Sequence, residues 1–534
     1  MSMREAAIAA NRFGLGPKPG ELERVAGSPR KWLLDQTAGT RPTPAAFDGF
    51  MTGQQIWANY TYRYVRHIPI LEEQKRAKAA GDQQRYDELA AAYNRILYGW
   101  VTWCKETNVL ECGARSNVAL MTDEPFRERL LHFWSNHLVV PNGKQSTQIM
   151  LGAYEREAIR PHVTGKFADM LMASIKHPAM IDFLDNHLSV GPNSVYGQSS
   201  GNGLNENLAR EILELHTLGV EGGYTQNDVI ELAKAISGWS IYPTQLDEAR
   251  QRELAAKPGF EWGQQHFYED WHEPGPRKLL GKTYDQEGEA QGEAMLNDLA
   301  RHPNTARFLA TKFARHFVAD DPPEDLVRRL ADVYLESDTD LGEMTRALIE
   351  SNGPWEAYGE KVKQPIDYAY SVMRSLGLTL GEGKVPPQAA YVYEDYPMED
   401  GLWVWYFTDS FGLIKDRAAV RQALSTKKQT AGYDVLNLMR ALASMGQPLQ
   451  VAPGPQGWYD RASDWSGADS IMKRVEWALA LAYRESNRVM DPRTFLDTVL
   501  GDLAGPELRL AVARAASPEQ GLGLVLASPE FQRR

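Results

Sequence analysis

The chain has 534 residues, enough for three or four domains or for one large domain with elaborations. A hydrophobic fraction of 43% can build a sizeable core, while a net charge of −12 argues against a broad basic surface for nucleic acid or anionic lipid. The two cysteines are too few for a disulfide framework.

The first residues favour the start of a helix over a targeting segment. Residues 1–13 contain too short an apolar run for a secretory signal. No stretch of the chain reaches about 18 uninterrupted apolar residues. We therefore expect no transmembrane helix, and a cytoplasmic location unless a partner carries the protein out as a passenger.

Two early segments are predicted to be helical. Residues 70–98 are rich in charged side chains with spaced apolar positions, which indicates one or two solvent-facing helices. A second helix opens at Asp-Glu-Pro and runs over 123–140, before the Pro-Asn-Gly at 141–143. On this helix His137 falls in the apolar stripe and is predicted to point into the core, whereas His132 faces solvent or a neighbouring element.

A loop at 188–204, rich in Gly, Ser and Asn, precedes a predicted helix at 205–218. A loop of this length inside a compact domain is uncommon and often functional. The helix carries Glu206, Arg210 and Glu214 at four-residue spacing, which predicts a row of ion pairs.

The same helix carries a second polar group and one histidine. Asn205 can cap the helix, Asn207 and Glu211 share one side, and His216 lies on the apolar face. On an ideal helix Glu211 and His216 are about 140° apart, so a straight helix cannot present both to one metal ion. Two interpretations stay open here: a solvated face held by ion pairs, or a helix end that lines a cleft.

Residues 238–285 are irregular, aromatic and polar, and a small hairpin is predicted near 281–284. His272 precedes a Pro-Gly turn, which can deliver its side chain to a shared site; a surface histidine is the alternative. Beyond 285 the pattern is again helical, with a second loop at 380–400.

The sparse strand signals predict a mainly α protein, a large irregular bundle of helices with little or no β-structure. The sequence lacks the motifs of nucleotide-binding loops, zinc proteases and serine-hydrolase elbows. The function must therefore be argued from less familiar segments.

Several segments of the chain form distinctive motifs. The longest is Asn-Glu-Asn-Leu-Ala-Arg-Glu-Ile-Leu-Glu-Leu-His-Thr-Leu-Gly at 205–219, and Phe-Trp-Ser-Asn-His stands at 133–137. The others lie at 223–226, 237–239, 272–275, 278–281, 446–449, 457–458 and 526–532. Together these segments resemble the bacterial family catalogued as domain of unknown function 1800.

The resemblance covers essentially the whole chain and so implies one helical unit over 1–534, within which we expect sub-lobes at 1–122, 123–375 and 376–534. Members of the family are often neighbours of sulfatase-like or phosphatase-like exported proteins. The resemblance therefore implies a sulfatase-like companion as a candidate partner. Many members carry export signals, which this sequence lacks.

The leading hypothesis is a hydrolase-like enzyme with a buried polar site. His137 and His216, if they converge from two helices, would join His272 in a site that suits zinc or another divalent transition metal. Such a metal would polarise a substrate oxygen or activate water. Without a metal, paired carboxylates would run acid–base chemistry on a glycosidic bond.

The remaining candidate residues follow from the same hypothesis. The candidate catalytic residues are Glu206, Arg210 and Glu211. The content of 14 Trp and 23 Tyr fits a carbohydrate or another polar substrate. The candidate substrate-binding residues are Asn205, Asn207, Trp134, Trp239 and Trp271.

Two alternatives come from other classes. The protein is a non-catalytic binding or maturation partner of the sulfatase-like companion, in which case a large apolar patch is exposed. Alternatively, the polar groups form a purely structural network, bonded only to one another.

Overall fold

The computed structural model describes residues 3–65, 68–241, 261, 263–380, 435–485 and 491–534. Within these residues the protein is mainly α-helical, as predicted, and its strands form two antiparallel sheets of two strands each. None of the described helices combines the length and the apolar character that crossing a membrane requires. The predicted loop at 380–400 lies outside the described residues except for Leu380.

The amino-terminal part consists of short helices followed by a long helical hairpin. The hairpin turns at Gly81 (φ 73°), and Asp82 caps its second arm by accepting a hydrogen bond from the backbone N–H of Arg85. It accounts for the charged helices predicted at 70–98. The helices are α1 (Met3–Ile8), α2 (Glu21–Val25), α3 (Pro29–Thr37), α4 (Gly53–Val65), α5 (Ile68–Ala80), α6 (Gln83–Met121) and α7 (Pro125–His137).

The central part is a longer series of helices. Two of them, α8 and α12, are extended by the π-helical turns Glu155–Ile159 and Ile212–His216. The helices are α8 (Gln145–Tyr154), α9 (Phe167–Lys176), α10 (Pro178–Phe183), α11 (Val195–Ser200), α12 (Asn207–Glu211), α13 (Gln226–Ala235), α14 (Glu289–Ala300), α15 (Pro303–Phe317), α16 (Glu324–Glu336), α17 (Leu341–Glu350), α18 (Gly353–Glu356) and α19 (Pro365–Ser375).

Two local predictions meet different outcomes in this part. The hairpin predicted near 281–284 is confirmed as β3 (Arg277–Leu279) and β4 (Lys282–Tyr284), joined by Leu280 and Gly281, both with positive φ. The predicted loop at 188–204, by contrast, contains α11, which Ser194 caps by accepting a hydrogen bond from Gly197 N. The other sheet pairs β1 (Trp239–Ile241) with β2 (Gln265–Phe267).

The carboxy-terminal part is again helical. Its helices pack with α19 and with the second half of α6 into an apolar core separate from the larger core of the preceding helices. Helix α19 therefore packs with the carboxy-terminal helices although it lies in the predicted central sub-lobe. The helices are α20 (Val435–Ser444), α21 (Ala462–Trp465), α22 (Ala468–Glu485), α23 (Pro492–Leu500), α24 (Pro506–Ala513), α25 (Pro518–Ala527) and α26 (Pro529–Gln532).

Candidate functional site

Helix α7 positions both of its histidines. Pro125 begins the helix, and the N–H of Phe126 donates a hydrogen bond to Gln36 Oε1 (2.8 Å), so the start is capped from α3. The helix ends at His137, three residues before the predicted end. Leu138 leaves the helical conformation there, and its carbonyl accepts a hydrogen bond from the Tyr154 hydroxyl (2.6 Å).

His137 points into the core, as predicted, and is 2% exposed. Lys312 Nζ donates to its Nδ1 (3.0 Å), which requires the proton of the neutral ring to be on Nε2. Nε2 then donates to the carbonyl oxygen of His216 (3.1 Å). Burial and the charge of Lys312 hold the pKa of His137 well below its ordinary value, which keeps the ring neutral.

His216 and Lys312 complete this cluster, called here the His137 cluster. Burial and the nearby Lys312 lower the pKa of the His216 imidazole to about 3. Burial also lowers the pKa of Lys312, to about 8. His137 and His216 therefore do come together, but the contact joins the side chain of His137 to the backbone carbonyl of His216. No sequence pattern indicated that Lys312 would join them.

A metal centre does not fit the His137 cluster. Both ring nitrogens of His137 are already hydrogen-bonded inside the protein, so neither offers a metal a lone pair. Across the described ranges, no three His, Cys, Asp or Glu side chains group in a way that could hold a metal ion. The proposed metal site of His137, His216 and His272 is thus not supported.

His272 has a separate, local role. Its Nδ1 donates to the carbonyl oxygen of Ser237 (3.1 Å), and its ring meets Phe267 edge-on. The next residue, Glu273, accepts hydrogen bonds from the backbone and side-chain nitrogens of Asn193 (2.8 and 2.6 Å). These contacts fasten the segment 188–204 to the chain around β3.

The predicted row of ion pairs on α12 is confirmed. Arg210 lies 3.1 Å from Glu206 and 3.4 Å from Glu214, with all three side chains between 28% and 38% exposed. Burial, and next the charge of Glu214, raise the pKa of Glu211. None of these side chains lines the cavity described below, so the catalytic roles of Glu206, Arg210 and Glu211 stay predictions.

The angle predicted between Glu211 and His216 does not apply to the structure. The segment Ile212–His216 is a π-helical turn, in which hydrogen bonds span five residues and the spacing around the axis changes. The helical segment ends at His216, two residues before the predicted end, and left-handed Gly219 (φ 83°) follows it against the ring of Phe308.

Most of the candidate substrate-binding side chains are hydrogen-bonded or packed within the protein. Asn205 accepts a hydrogen bond from Asn207 N (2.9 Å), and its amide nitrogen donates to the carbonyls of Leu184 and Asp185 (3.0 and 3.1 Å). Asn207 is exposed. Asn205 therefore caps α12 and anchors the loop that precedes this helix.

The three candidate tryptophans are buried. Trp134 and Trp239 are 0% exposed, so neither side chain can contact a substrate in this structure. Trp271 is 8% exposed and is stacked between the rings of Tyr196 and Tyr268. In this structure Trp134 and Trp239 fill the core and Trp271 helps to hold the loop at 188–204, and the substrate-binding roles of the three stay predictions.

A cavity of about 120 Å³ lies on the other side of α7 and is called here the His132 cavity. It is enclosed by the second half of α6, by α7, by α8 with its π-helical turn, by the start of α19 and by residues 447–458. Its lining residues are Arg115, His132, Ser135, Asn136, Val139, Val140, Leu151, Tyr154, Glu155, Gln364, Ile366, Gln447, Pro448, Leu449, Gln450, Ala452 and Trp458.

His132 is the unsatisfied group of this cavity. Its side chain is 8% exposed, and neither ring nitrogen has a hydrogen-bond partner among the described residues. Its Nδ1 lies 3.9 Å from Asp367 Oδ1, too far for a hydrogen bond but close enough for the charge to act. Burial, and next the charge of Arg115, lower the pKa of His132, so the ring is neutral at pH 7.

An ion pair forms another part of the wall. Arg115 Nε donates to both carboxylate oxygens of Glu155 (2.9 and 2.8 Å), and Ser135 Oγ donates to Glu155 Oε2 (3.1 Å). Burial alone raises the pKa of Glu155, but Arg115 and Arg160 outweigh it and lower the net value. Glu155 begins a π-helical turn, a distortion often found at functional sites.

A chain of buried polar groups stands behind His132. Arg129 Nη1 lies 2.9 Å from Asp367 Oδ1, and Arg129 Nε donates to His316 Nε2 (2.9 Å). His316 Nδ1 in turn donates to Asp460 Oδ2 (2.9 Å). Burial acts to raise the pKa of Asp367, but the charge of Arg129 outweighs it and the pKa is lowered to about 2, so the carboxylate next to His132 is ionised.

Side-chain amides complete the walls. Asn136 bonds both the carbonyl and the N–H of Trp458 (3.0 and 2.7 Å). Gln447 Nε2 donates to Gln364 Oε1 (2.9 Å). Gln450, which holds a left-handed backbone (φ 58°), accepts a hydrogen bond from Asn108 (3.0 Å). A strained backbone of this kind costs energy and often marks a functional site.

The sequence had one signal for this cavity. Ser135 and Asn136 belong to the segment 133–137, Gln447 belongs to 446–449 and Trp458 to 457–458. Three segments that carry the resemblance therefore meet at the cavity, although more than 300 residues separate the first from the other two, and His132 directly precedes the first.

The comparisons with known proteins agree with the resemblance. A family model described as a protein of unknown function (DUF1800) matches residues 8–533, essentially the whole chain. No curated protein and no solved structure matches the chain.

Proposed function

The chain belongs to the DUF1800 family, whose description assigns no reaction, and we propose from the site itself that it is a hydrolase-like enzyme whose polar substrate binds in the His132 cavity. The observation that carries the proposal is the buried imidazole of His132, which has no hydrogen-bond partner among the described residues, beside the ionised Asp367. Nearly all buried polar groups in proteins are hydrogen-bonded, so an unpaired one that faces a cavity calls for a ligand or a chemical role.

The charges around His132 suit a general base. The neutral ring accepts a proton from a water molecule as that water attacks the substrate, and then returns the proton to the leaving group. Asp367, 3.9 Å away, stabilises the imidazolium formed between the two steps. The net change is the addition of one water across the cleaved bond, and this route needs no metal ion.

Glu155 and Arg115, which line the same cavity as this base, hold the substrate. Their ion pair is nearly buried, with each side chain 10% exposed, so the geometry of the wall is fixed before the substrate arrives. Ser135 and Asn136 stand on α7 one turn from His132 and add hydrogen-bonding groups on the same side.

The test is a panel of chromogenic esters, amides and glycosides, assayed with the wild-type protein and with His132→Gln. We expect kcat/KM of the best substrate to fall by about 10²- to 10⁴-fold in the variant, the usual contribution of a general base. His162→Gln is the matched control, because this histidine does not line the cavity. Equal rates in wild type and His132→Gln on every class that is cleaved, or no cleavage by the wild type, contradict the proposal.

One observation favours the second candidate, a non-catalytic partner of a sulfatase-like companion. Helix α22 exposes Met472, Leu479 and Tyr483, 55%, 44% and 76% accessible, at spacings that place them on one face. The double variant Leu479→Asp, Tyr483→Asp is expected to abolish a complex with the purified companion in sedimentation experiments. Hydrolysis lost with His132→Gln but retained by this double variant favours the enzyme.

A further inference from the structure

We propose that the substrate group that enters the His132 cavity is uncharged and bears several hydroxyls, as a glycosyl group does. This inference rests on the proposed function. It follows from the charge, the hydrogen-bonding groups and the size of the cavity.

The charges of the cavity wall cancel. Of the lining residues, Arg115 and Glu155 carry full charges, and they pair with each other through two short hydrogen bonds. His132 is neutral, and the Asp367 carboxylate behind it is paired with Arg129 at 2.9 Å. A charged substrate group would lose its hydration here without meeting a free opposite charge, which is costly.

The hydrogen-bonding groups of the wall both donate and accept. Each primary amide has two N–H donors and two acceptor lone pairs, and the internal bonds of Asn136 and Gln447 use only part of this capacity. Within the described residues, the hydrogen bonds of the Gln450 side chain all go to its amide oxygen Oε1, which accepts them from Asn108 and Cys112. A hydroxyl also both donates and accepts, so it can pair with any of these amides.

The size and the apolar part of the wall agree with such a group. The space open to the centre of a water-sized molecule is about 120 Å³, and the atoms that reach its edges occupy more than this, so the cavity admits a compact group such as one sugar ring. Trp458, Tyr154 and Val140 add apolar and aromatic surface, which suits the C–H groups that alternate with hydroxyls on a sugar ring.

The experiment compares three probes of similar size on the full chain: methyl glucoside, glucuronate and glucosamine, measured by calorimetry at a pH near 6.5 where both charged probes are ionised. We expect methyl glucoside to bind at least tenfold more tightly than either charged probe. In Glu155→Gln, which leaves Arg115 without its partner, glucuronate is expected to gain at least tenfold. Glu88→Gln, at an exposed glutamate, is the control.

Each outcome decides the inference. Tighter binding of glucuronate or glucosamine by the wild type overturns it. If no probe binds while His132-dependent hydrolysis of another substrate persists, the inference fails and the proposed function stands. If no probe binds and no hydrolysis occurs, both fail. Should Glu155→Gln not fold, the ranking of the three probes by the wild-type protein decides alone.

Discussion

The two histidines of α7 lie five residues apart and have opposite surroundings. His137 has both ring nitrogens bonded, to Lys312 and to the His216 carbonyl, in a cluster walled by aromatic rings. His132 lines a cavity, and neither of its ring nitrogens is hydrogen-bonded to any residue in the described part of the chain. Both rings are buried and neutral, so their difference lies in their partners and not in their exposure.

This difference separates a structural histidine from a functional one. Removing a group that satisfies buried partners leaves those partners unpaired, which is expensive. Removing a group without partners costs little stability but deletes whatever chemistry it performs. The following predictions test whether the two histidines divide in this way.

The largest expected effect is on the His137 side. His137→Leu leaves the Lys312 ammonium and the His216 carbonyl without their partner, and we expect the free energy of unfolding to fall by about 2–5 kcal/mol. His132→Leu, which breaks no hydrogen bond, is expected to change it by less than about 1 kcal/mol. Urea denaturation measures both. If both substitutions lowered the free energy of unfolding equally, His137 would not be more important for stability than His132.

The pH dependence of stability gives the next effect. The pKa of Lys312 is about 8 in the folded protein and 10.5 ordinarily, so between these values the unfolded chain binds more protons. The free energy of unfolding is therefore expected to rise with pH across this window, and to rise less in Lys312→Met. Lys363, whose pKa burial lowers to about 7, contributes equally to both proteins. Identical slopes would show that Lys312 is not desolvated.

The pH dependence of kcat/KM tests the proposed role of His132 as the general base. Because burial lowers the pKa of His132 below its ordinary 6.5, the base form persists at neutral pH and is lost as pH falls. We expect kcat/KM to be flat near pH 7 and to decline with a midpoint below 6.5. A decline that begins above this value would assign the base to another group.

The smallest expected effect is at the ion-pair row of α12. Glu206→Gln removes a half-exposed pair with Arg210, and we expect the free energy of unfolding to change by less than about 1 kcal/mol. Hydrolysis is expected to be unchanged, because Glu206 does not line the His132 cavity. If Glu206→Gln lost much of its kcat/KM while its stability stayed normal, the result would indicate that the ion-pair row takes part in catalysis.

The features that the sequence predicted are local ones. The start of α7 at Pro125, the four-residue pairing of Arg210 and the turn at Gly281 each depend on neighbours within a few residues. The inward orientation of His137 follows from the 3.6-residue period alone. The mainly α fold follows from the sum of such local patterns.

The features that it did not predict depend on distant residues. Lys312 meets His137 across 175 positions, and Trp458 meets Asn136 across 322. Helical periodicity contains no information on which faces meet, so the cavity is visible only in the fold. Angles around the axis that are calculated for an ideal α-helix also do not apply in the π-helical turns, for example at His216.

The length of helix α6 separates the cavity wall from movements of the hairpin tip. Its 39 residues make a rod about 58 Å long, anchored by packing in its second half, where Arg115 lies, while its first arm forms the hairpin with α5. A tilt of about 1° about the anchored end moves the far tip by about 1 Å but shifts Arg115 by only about a sixth of that. The hairpin tip can therefore bear against another surface while the wall of the His132 cavity stays in place.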